Sequence, residues 1–170
     1  MAGIVTAVVV VSVVSLATLA LLFALISRVR TLQELVLKNP KQHGLPQPGD
    51  PIGRFEVTTT AGEVVTDVSL ARETTLVGFF QPNCGPCERV QAELCQRPLG
   101  VPIVALIRAA ADEAGATAMS DALAHVARVA YAGADDPVSR AFRTAGYPTL
   151  VRIENGLVAA AGHRLSDVLP

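Results

Sequence analysis

The chain begins with a long apolar stretch. Between Gly3 and Ile26 the only polar side chains are hydroxyls that can bond to the backbone of their own helix, namely those of Thr6, Ser12, Ser15 and Thr18. The first charged residue is Arg28. Because an α-helix rises about 1.5 Å per residue, a stretch of this length spans the hydrocarbon core of a bilayer, which is about 30 Å thick. The pattern predicts one transmembrane helix within residues 1–30, in contact with the lipid bilayer from Gly3 to Ile26.

A cleaved signal peptide is the alternative interpretation of this segment. Such peptides carry basic residues before an apolar stretch of about 7 to 15 residues, whereas no basic side chain precedes Gly3 and the apolar stretch here is longer. Residues 31–50 are predicted to form a juxtamembrane helix, over Thr31 to Leu37, and then a linker. Prolines and glycines recur between Asn39 and Pro51 and exclude a helix there, so the linker is predicted to be a semi-extended spacer.

Residues 51–170 have the alternating short elements of a folded domain. The apolar runs at 74–80 and 101–107 are typical of strands buried on both faces of a sheet. A hairpin is predicted over Arg54 to Val65, and Asn155-Gly156 predicts a second one. The remaining predicted elements are strands at 126–130, 149–153 and 157–161 and helices that begin near Cys84, Asp112 and Asp136. This order predicts an α/β domain with a mixed sheet flanked by helices.

The net charge and the number of cysteines exclude some classes of protein. The chain has 14 Lys and Arg residues against 15 Asp and Glu residues, which gives a formal net charge of -1. This balance leaves no basic excess to bind phosphates, so nucleic acid is not a predicted partner. The chain has only 3 cysteines, too few for a fold built on disulfides. The chemistry of individual cysteines is therefore the remaining question.

The Cys84-Gly85-Pro86-Cys87 motif directly follows a predicted buried strand and opens a predicted helix. At a helix N-terminus the unpaired backbone N–H groups and the helix dipole stabilise a thiolate, so that it can attack a disulfide near neutral pH. Gly85 and Pro86 form a two-residue spacer that places Cys87 one turn into the helix, within reach of the same sulfur. We predict that Cys84 is the nucleophile and Cys87 the resolving thiol.

Metal binding is the alternative use of this cysteine pair. A structural zinc site normally has four ligands, and beyond the motif the chain offers only Cys95 and three separate histidines. A copper carrier would need a nearby histidine or methionine ligand, and the two methionines, Met1 and Met119, are far from the motif in sequence. We therefore predict neither a metal site nor a cofactor.

A second motif, Gly146-Tyr147-Pro148-Thr149, lies between a predicted helix and an apolar strand. Proline has no backbone N–H to donate to a neighbouring strand. Pro148 is therefore predicted to stand at the first position of its strand.

The two motifs, in the segments FFQPNCGPC and GYPTLVRIENG, together resemble the thioredoxin-fold family over about Pro51 to Ala161. The resemblance implies a cysteine pair packed against a cis-proline, which would be Pro148, and a backbone contact between Tyr147 and an extended stretch of substrate. The predicted first hairpin and the membrane helix make the chain most similar to the membrane-tethered TlpA-like branch, including the MauD-like proteins of methylamine dehydrogenase maturation. The implied activity is thiol-disulfide exchange with a client protein, together with an upstream redox partner.

The chain departs from the family pattern at several positions. Thioredoxins carry a buried acid six residues before the first cysteine, where this chain has Gly78, and a tryptophan directly before that cysteine, where this chain has Asn83. Only His163 to Pro170 follow the last predicted strand, so the closing helix is short. These departures argue against a general thioredoxin role and favour slow or partner-dependent resolution by Cys87. The third cysteine, Cys95, is predicted to be a small buried apolar residue.

The membrane orientation has two opposing indications. Basic residues follow the apolar segment, and the positive-inside rule taken alone would place the domain in the cytoplasm. The resemblance indicates the opposite side, since TlpA-like and MauD-like proteins hold their redox domain outside the cytoplasm. Cytosolic thiols are also kept reduced by soluble systems. We therefore predict a single-pass protein of the cell membrane with an extracytoplasmic redox domain.

Reduction or isomerisation of disulfides is the predicted direction, since Gly-Pro between the cysteines resembles the reducing thioredoxins. Donation of disulfides is the alternative within the same chemistry. The alternative from another class is a non-catalytic assembly factor that binds a client enzyme during maturation, with a merely structural cysteine pair. Peroxide reduction is disfavoured because peroxiredoxins place their cysteine in a Pro-x-x-x-Thr-x-x-Cys context, and Pro82 lies only two positions before Cys84.

Overall fold

A computed structural model of the chain describes residues 44–108 and 113–169. Its elements in chain order are β1 (Glu56–Thr58), β2 (Val64–Thr66), α1 (Asp67–Leu70), β3 (Thr75–Phe80), α2 (Gly85–Gln96), β4 (Ile103–Ile107), α3 (Glu113–Leu123), β5 (Arg128–Tyr131), α4 (Pro137–Ala141), β6 (Thr149–Glu154), β7 (Leu157–Gly162) and α5 (Leu165–Val168). The predicted transmembrane helix, the predicted juxtamembrane helix, the predicted linker up to residue 43 and the predicted helix start at Asp112 lie outside the described residues. Among the residues that are described, no helix has both the length and the apolar character needed to cross a membrane.

Five strands form one mixed sheet in the order β5-β4-β3-β6-β7. The β3–β4 and β4–β5 pairs are parallel, whereas β3–β6 and β6–β7 are antiparallel. Parallel neighbours need a crossover between them, and α2 and α3 provide the two crossovers. Strand β3 is central, and all of its residues are buried. The predicted mixed α/β sheet with flanking helices is confirmed.

Both predicted hairpins are present. Strands β1 and β2 pair antiparallel, and the chain after β1 lies along the edge of the main sheet, where the Thr60 N–H donates to the Val129 carbonyl at 2.7 Å. In the β6–β7 hairpin, Asn155 and Gly156 have φ values of 52° and 78°. A two-residue type I′ turn requires positive φ at both positions, which is why Asn-Gly is a strong signal for it.

Strand β3 separates two apolar layers of the core. Leu76 and Phe80 pack into one layer, with side chains of α2 and α3. Val77 and Phe79 pack into the other, where the Phe142 ring meets the Phe79 ring edge-on at a centroid distance of 5.3 Å. Because both faces of β3 are covered, its carboxyl end is firmly held, and so is the start of the segment that follows it.

The end of the segment predicted as a linker pairs with the sheet. The Gly49 N–H donates to the Val158 carbonyl at 2.8 Å, and the Val158 N–H donates to the Asp50 carbonyl at 2.9 Å. Pro51 forms a bridge with β7, and the Asp50 carboxylate lies 3.0 Å from the Arg143 guanidinium. Residues 49–51 therefore occupy the outer edge of β7.

Gly78 lies on the same face of β3 as Phe80, whose ring folds back over it. A Cβ atom at position 78 would lie 2.6 Å and 2.8 Å from two ring atoms of Phe80 and 3.2 Å from a methyl group of Leu150. Phe80 is 0% exposed, so its ring is enclosed by other side chains and cannot turn out into solvent. An aromatic ring therefore fills the place at which thioredoxins carry a buried acid.

We expect Gly78→Ala to lower the free energy of unfolding by about 1–3 kcal/mol, because the added methyl group overpacks a filled core. Denaturant unfolding of the full chain in detergent measures this change. In a double-mutant cycle, Gly78→Ala should cost less stability in the Phe80→Leu background than in the unmodified protein, since the smaller side chain leaves room for the methyl group.

Gly146→Ala is the matched control for this prediction. A Cβ atom at position 146 meets no atom within 4 Å, so the change in stability should stay within about 0.5 kcal/mol. Equal losses in the two variants would contradict the packing explanation for Gly78.

Candidate active site

The cysteine motif lies at the carboxyl end of the central strand. Strand β3 ends at Phe80, a turn over residues 81–83 follows, and α2 begins directly after its N-cap, Cys84. Asn83 has a φ of 57°, a left-handed value that asparagine adopts more readily than most residues. Pro86 stands in the first turn of α2, where a missing N–H removes no helical hydrogen bond. The local sequence thus explains why the helix starts here with a cysteine at its tip.

The sulfur of Cys84 caps α2. Cys84 has an extended backbone, with φ -119° and ψ 102°, and its Sγ accepts a hydrogen bond from the Cys87 backbone N–H at 3.3 Å. The helix has 12 residues, which is long enough for the partial positive charge of its N-terminus to stabilise a negative group. Both the N–H donor and the helix dipole therefore favour a thiolate on Cys84 when the pair is reduced.

Cys84 and Cys87 are joined by a disulfide bond, with their Cα atoms 5.2 Å apart. Cys87 is 0% exposed and lies in the same apolar layer as Phe80. Cys84 is only half-buried, and the spacer residues Gly85 and Pro86 are exposed. Of the two sulfurs, that of Cys84 is the one that a second protein can reach.

The second predicted motif packs beside this sulfur. The Tyr147–Pro148 peptide bond is cis, as the resemblance implies, and the Tyr147 carbonyl oxygen lies 3.8 Å from Cys84 Sγ. Strand β6 begins at Thr149, whose hydroxyl donates to the Gly146 carbonyl at 2.8 Å and closes the loop. Pro148 therefore directly precedes the strand, one position before its predicted place. The structure brings all four predicted residues, the two cysteines with Tyr147 and Pro148, into one site.

The Tyr147 side chain is fixed between the two apolar layers, since it packs against both. Burial raises the pKa of Tyr147 above its ordinary value, and the nearby Arg108 guanidinium opposes this shift. The phenol therefore stays protonated at neutral pH, and Tyr147 adds no negative charge next to the cysteines.

Two residues at the site were not assigned to it by sequence reasoning. The Cζ atom of Arg108 lies 5.9 Å from the centroid of the Tyr147 ring. His163 lies on the other side of the loop, with Nδ1 at 2.6 Å from the Pro148 carbonyl oxygen. Since a carbonyl can only accept, Nδ1 carries the proton in this contact. A signal for Arg108 does exist, because it follows a strand next to β3, and functional residues of α/β sheets gather at the carboxyl ends of the strands.

The prediction that Cys95 is a small buried apolar residue is wrong. Cys95 is exposed and unpaired with another cysteine, and its Sγ lies 3.4 Å from the Ala122 carbonyl oxygen. The inward face of α2 consists of Cys87, Val90 and Leu94. Successive residues of a helix are 100° apart, so the position after Leu94 turns away from the core and reaches the rim between α2 and α3.

The zinc and copper alternatives both need further ligands grouped around the cysteine pair. Over residues 44–108 and 113–169, no group of three or more His, Cys, Asp or Glu side chains is placed to hold a metal ion. The sulfurs of the motif are bonded to each other.

No protein-family model and no curated protein sequence match the chain. Solved structures do match it. A protein of Chlorobium tepidum assigned as a thiol:disulfide interchange protein, DsbE, is 26% identical, with 72% of this chain and 90% of that chain covered and a TM-score of 0.55. The thioredoxin domain of a thiol-disulfide oxidoreductase from Bacteroides vulgatus is 17% identical, with 72% and 92% covered and a TM-score of 0.58. A thio-disulfide isomerase from Thermus thermophilus is 21% identical, with 68% and 85% covered and a TM-score of 0.53.

These structural neighbours are described as thiol-disulfide oxidoreductases, interchange proteins and isomerases. The sheet order, the cis-proline loop and the disulfide at the start of α2 agree with that likeness. The described part of the chain thus has the thioredoxin-like fold of thiol-disulfide oxidoreductases, with a close cysteine pair at the tip of its second helix.

Proposed function

We propose that the protein is a thiol-disulfide oxidoreductase that reduces or isomerises disulfides of a client protein, with Cys84 and Cys87 as its catalytic residues. One observation carries the proposal: the half-buried Cys84 sulfur caps α2, is bonded to a fully buried partner cysteine and lies 3.8 Å from the Tyr147 carbonyl. A reachable sulfur with a stabilised thiolate and a second thiol one turn away are the requirements of disulfide exchange.

The proposed reaction starts from the reduced pair. The Cys84 thiolate attacks one sulfur of the client disulfide, the client S–S bond breaks, and the released client thiolate takes up a proton. Cys87 then loses its proton and attacks Cys84 Sγ, which releases the second client thiol and leaves the Cys84–Cys87 disulfide. Two electrons pass from the protein to the client, and an upstream dithiol protein returns them to the pair.

Tyr147 and Pro148 are proposed to bind the client. The Tyr147 carbonyl is directed at the Cys84 sulfur, so a client backbone N–H that bonds to it would bring the client disulfide close to the attacking atom. The contact between His163 and the Pro148 carbonyl holds the other side of this loop. Such positioning by backbone groups suits a protein that accepts extended segments of its client.

The second half of the reaction is proposed to be slow or dependent on the partner. Cys87 lies in an apolar layer, and burial disfavours the thiolate that it must form. Phe80 covers Gly78 at the place where an acid could take the proton. The proton of Cys87 therefore has to leave through the client or through water that enters the open site.

We further propose that this domain, at residues 51–170, is tethered to the cell membrane as in TlpA-like and MauD-like proteins. The apolar stretch from Gly3 to Ile26 would be the single transmembrane helix, within residues 1–30, and residues 31–50 the connecting segment. An extracytoplasmic position of the domain is supported by the disulfide chemistry, since soluble systems keep cytosolic thiols reduced.

In Cys87→Ser, a mixed disulfide between Cys84 and the client should accumulate, because the second attack can no longer occur. Mass spectrometry of complexes isolated under non-reducing conditions identifies the linked peptides. In the Cys87→Ser background, a further Cys84→Ser change should abolish the complex. In the same background, Cys95→Ser removes the remote cysteine and should leave the complex unchanged. A client that co-purifies equally well when both motif cysteines are replaced would instead establish the non-catalytic assembly factor.

The direction of electron flow follows from the reduction potential of the cysteine pair. We expect a value near that of thioredoxin, about -270 mV, as a reductant requires. Equilibration of the full chain in detergent with glutathione buffers, followed by thiol alkylation, measures it. A value near about -120 mV would identify a disulfide donor instead.

Alkaline phosphatase fused after residue 170 should be active, because that enzyme needs the disulfides that form outside the cytoplasm. The fusion should also stay with the membrane fraction after alkaline carbonate washing. An inactive fusion, together with an active cytoplasmic reporter at the same position, would place the domain in the cytoplasm and contradict the proposed orientation.

A further inference from the structure

Arg108 directly follows β4 and lies next to the candidate active site. Its backbone N–H donates to the Phe80 carbonyl at 2.9 Å, which places Arg108 beside the end of β3, where the turn to Cys84 begins. Its guanidinium carbon lies 5.9 Å from the centroid of the Tyr147 ring. This distance is within the range of a cation–π contact.

The described residues give the guanidinium of Arg108 few hydrogen-bond partners. An arginine side chain has five N–H donors. Nη1 of Arg108 makes a long bond of 3.4 Å to the neutral Gln81 side chain, and Nε is buried without a hydrogen-bond partner. The ion pairs found over the described residues involve Arg128, Arg143 and Arg152. Arg108 thus forms no ion pair with a carboxylate of the described part of the chain.

Tyr147 connects this cation to the reacting sulfur. Its ring contacts Arg108, and its carbonyl oxygen lies 3.8 Å from Cys84 Sγ. Because Tyr147 packs against both apolar layers, one well-held residue contacts both the guanidinium and the sulfur.

A second guanidinium, that of Arg89, lies near Gly85, the residue that follows Cys84. Arg89, in the first turns of α2, extends back along the helix, so that its Nη1 would be 3.9 Å from a Cβ atom at Gly85. The exposed Glu88 is the acid next to it in sequence. One cation thus lies beside the Tyr147 ring and another near Gly85 of the cysteine motif, and their charge complements an anionic segment.

We infer that Arg108 is a specificity-determining residue that binds a carboxylate of the client near its reacting cysteine, so that the protein prefers acidic client segments. This inference rests on the proposed thiol-disulfide exchange. A guanidinium binds a carboxylate through two parallel hydrogen bonds, and Tyr147 holds it in place for that contact. The interaction forms when the client docks, and it therefore acts mainly on KM.

Disulfide-bonded peptides that differ by a single residue test this preference. Each set carries Glu, Gln or Lys at one of three positions on either side of the cysteine. The reduced full chain in detergent reduces these peptides under single-turnover conditions and, with a small dithiol that is oxidised as it regenerates the reduced Cys84–Cys87 pair, under steady-state conditions. At the best position we expect kcat/KM to be about 5- to 10-fold higher for Glu than for Gln, and lower again for Lys. The preference should weaken as ionic strength rises, because salt screens the charge.

Arg108→Gln should reduce the Glu-to-Gln ratio to about 1, and Arg108→Glu should make Lys the preferred residue. The ratio is the decisive readout, because a general loss of thiol reactivity or of folded protein would slow all three peptides equally and leave the ratio unchanged. If Arg108→Glu does not fold, the ratio for Arg108→Gln decides the question alone.

Arg152→Gln is the matched control. Arg152 is also partly buried with an unpartnered Nε, but it pairs with Glu154 at 3.3 Å and lies opposite Leu76, near the start of β3 rather than its end. Its replacement should leave the ratio as in the unmodified protein. A loss of the preference in this variant would overturn the assignment to Arg108.

The outcomes separate the inference from the proposed function. Equal reduction of the Glu, Gln and Lys peptides by the unmodified protein would overturn the inference and leave disulfide exchange intact. An unchanged ratio in Arg108→Gln would also overturn it. Failure to reduce any peptide, with the Cys84–Cys87 pair shown to be reduced at the start, would overturn the proposed function and this inference with it.

Discussion

The hydrogen bond from the Cys87 N–H to the Cys84 sulfur is the interaction on which the proposed chemistry depends. It forms because β3 is covered on both faces and fixes the point where the chain leaves the sheet, and because Pro86 allows a helix to start almost at once. The same geometry gives the two cysteines different surroundings. One sulfur meets solvent at the positive end of a helix, and the other lies in an apolar layer, so the two steps of an exchange reaction are assigned to different atoms.

The filled layer around Cys87 explains how this site differs from that of a thioredoxin. A glycine in the middle of a strand usually weakens it, but here Gly78 makes room for the Phe80 ring. Packing has replaced a buried acid, which removes the cost of desolvating a carboxylate and also removes a proton acceptor. In the proposed reaction, position 78 of β3 therefore affects both the packing of the core and the transfer of the Cys87 proton.

The sequence was sufficient for features that depend on local pattern. The apolar runs predicted the central strands, Asn155-Gly156 predicted the turn, and the two motifs predicted which residues meet at the site. Contacts between distant segments could not be predicted in this way. Arg108 reaches Tyr147 only because β3 and β4 pair with Phe80 opposite Ile107, and no local pattern specifies that register. Prolines before residue 51 exclude a helix, yet their neighbours keep the carbonyls and N–H groups that pair with β7.

Both outer strands of the sheet, β5 and β7, form hydrogen bonds with segments of the same chain along their outer edges. Thr60 bonds to β5 on one side, and residues 49–51 bond to β7 on the other. An edge that is already paired is a poor template for a strand from another molecule. A second polypeptide therefore finds few unpaired backbone groups at these two edges, which disfavours edge-to-edge aggregation of the domain.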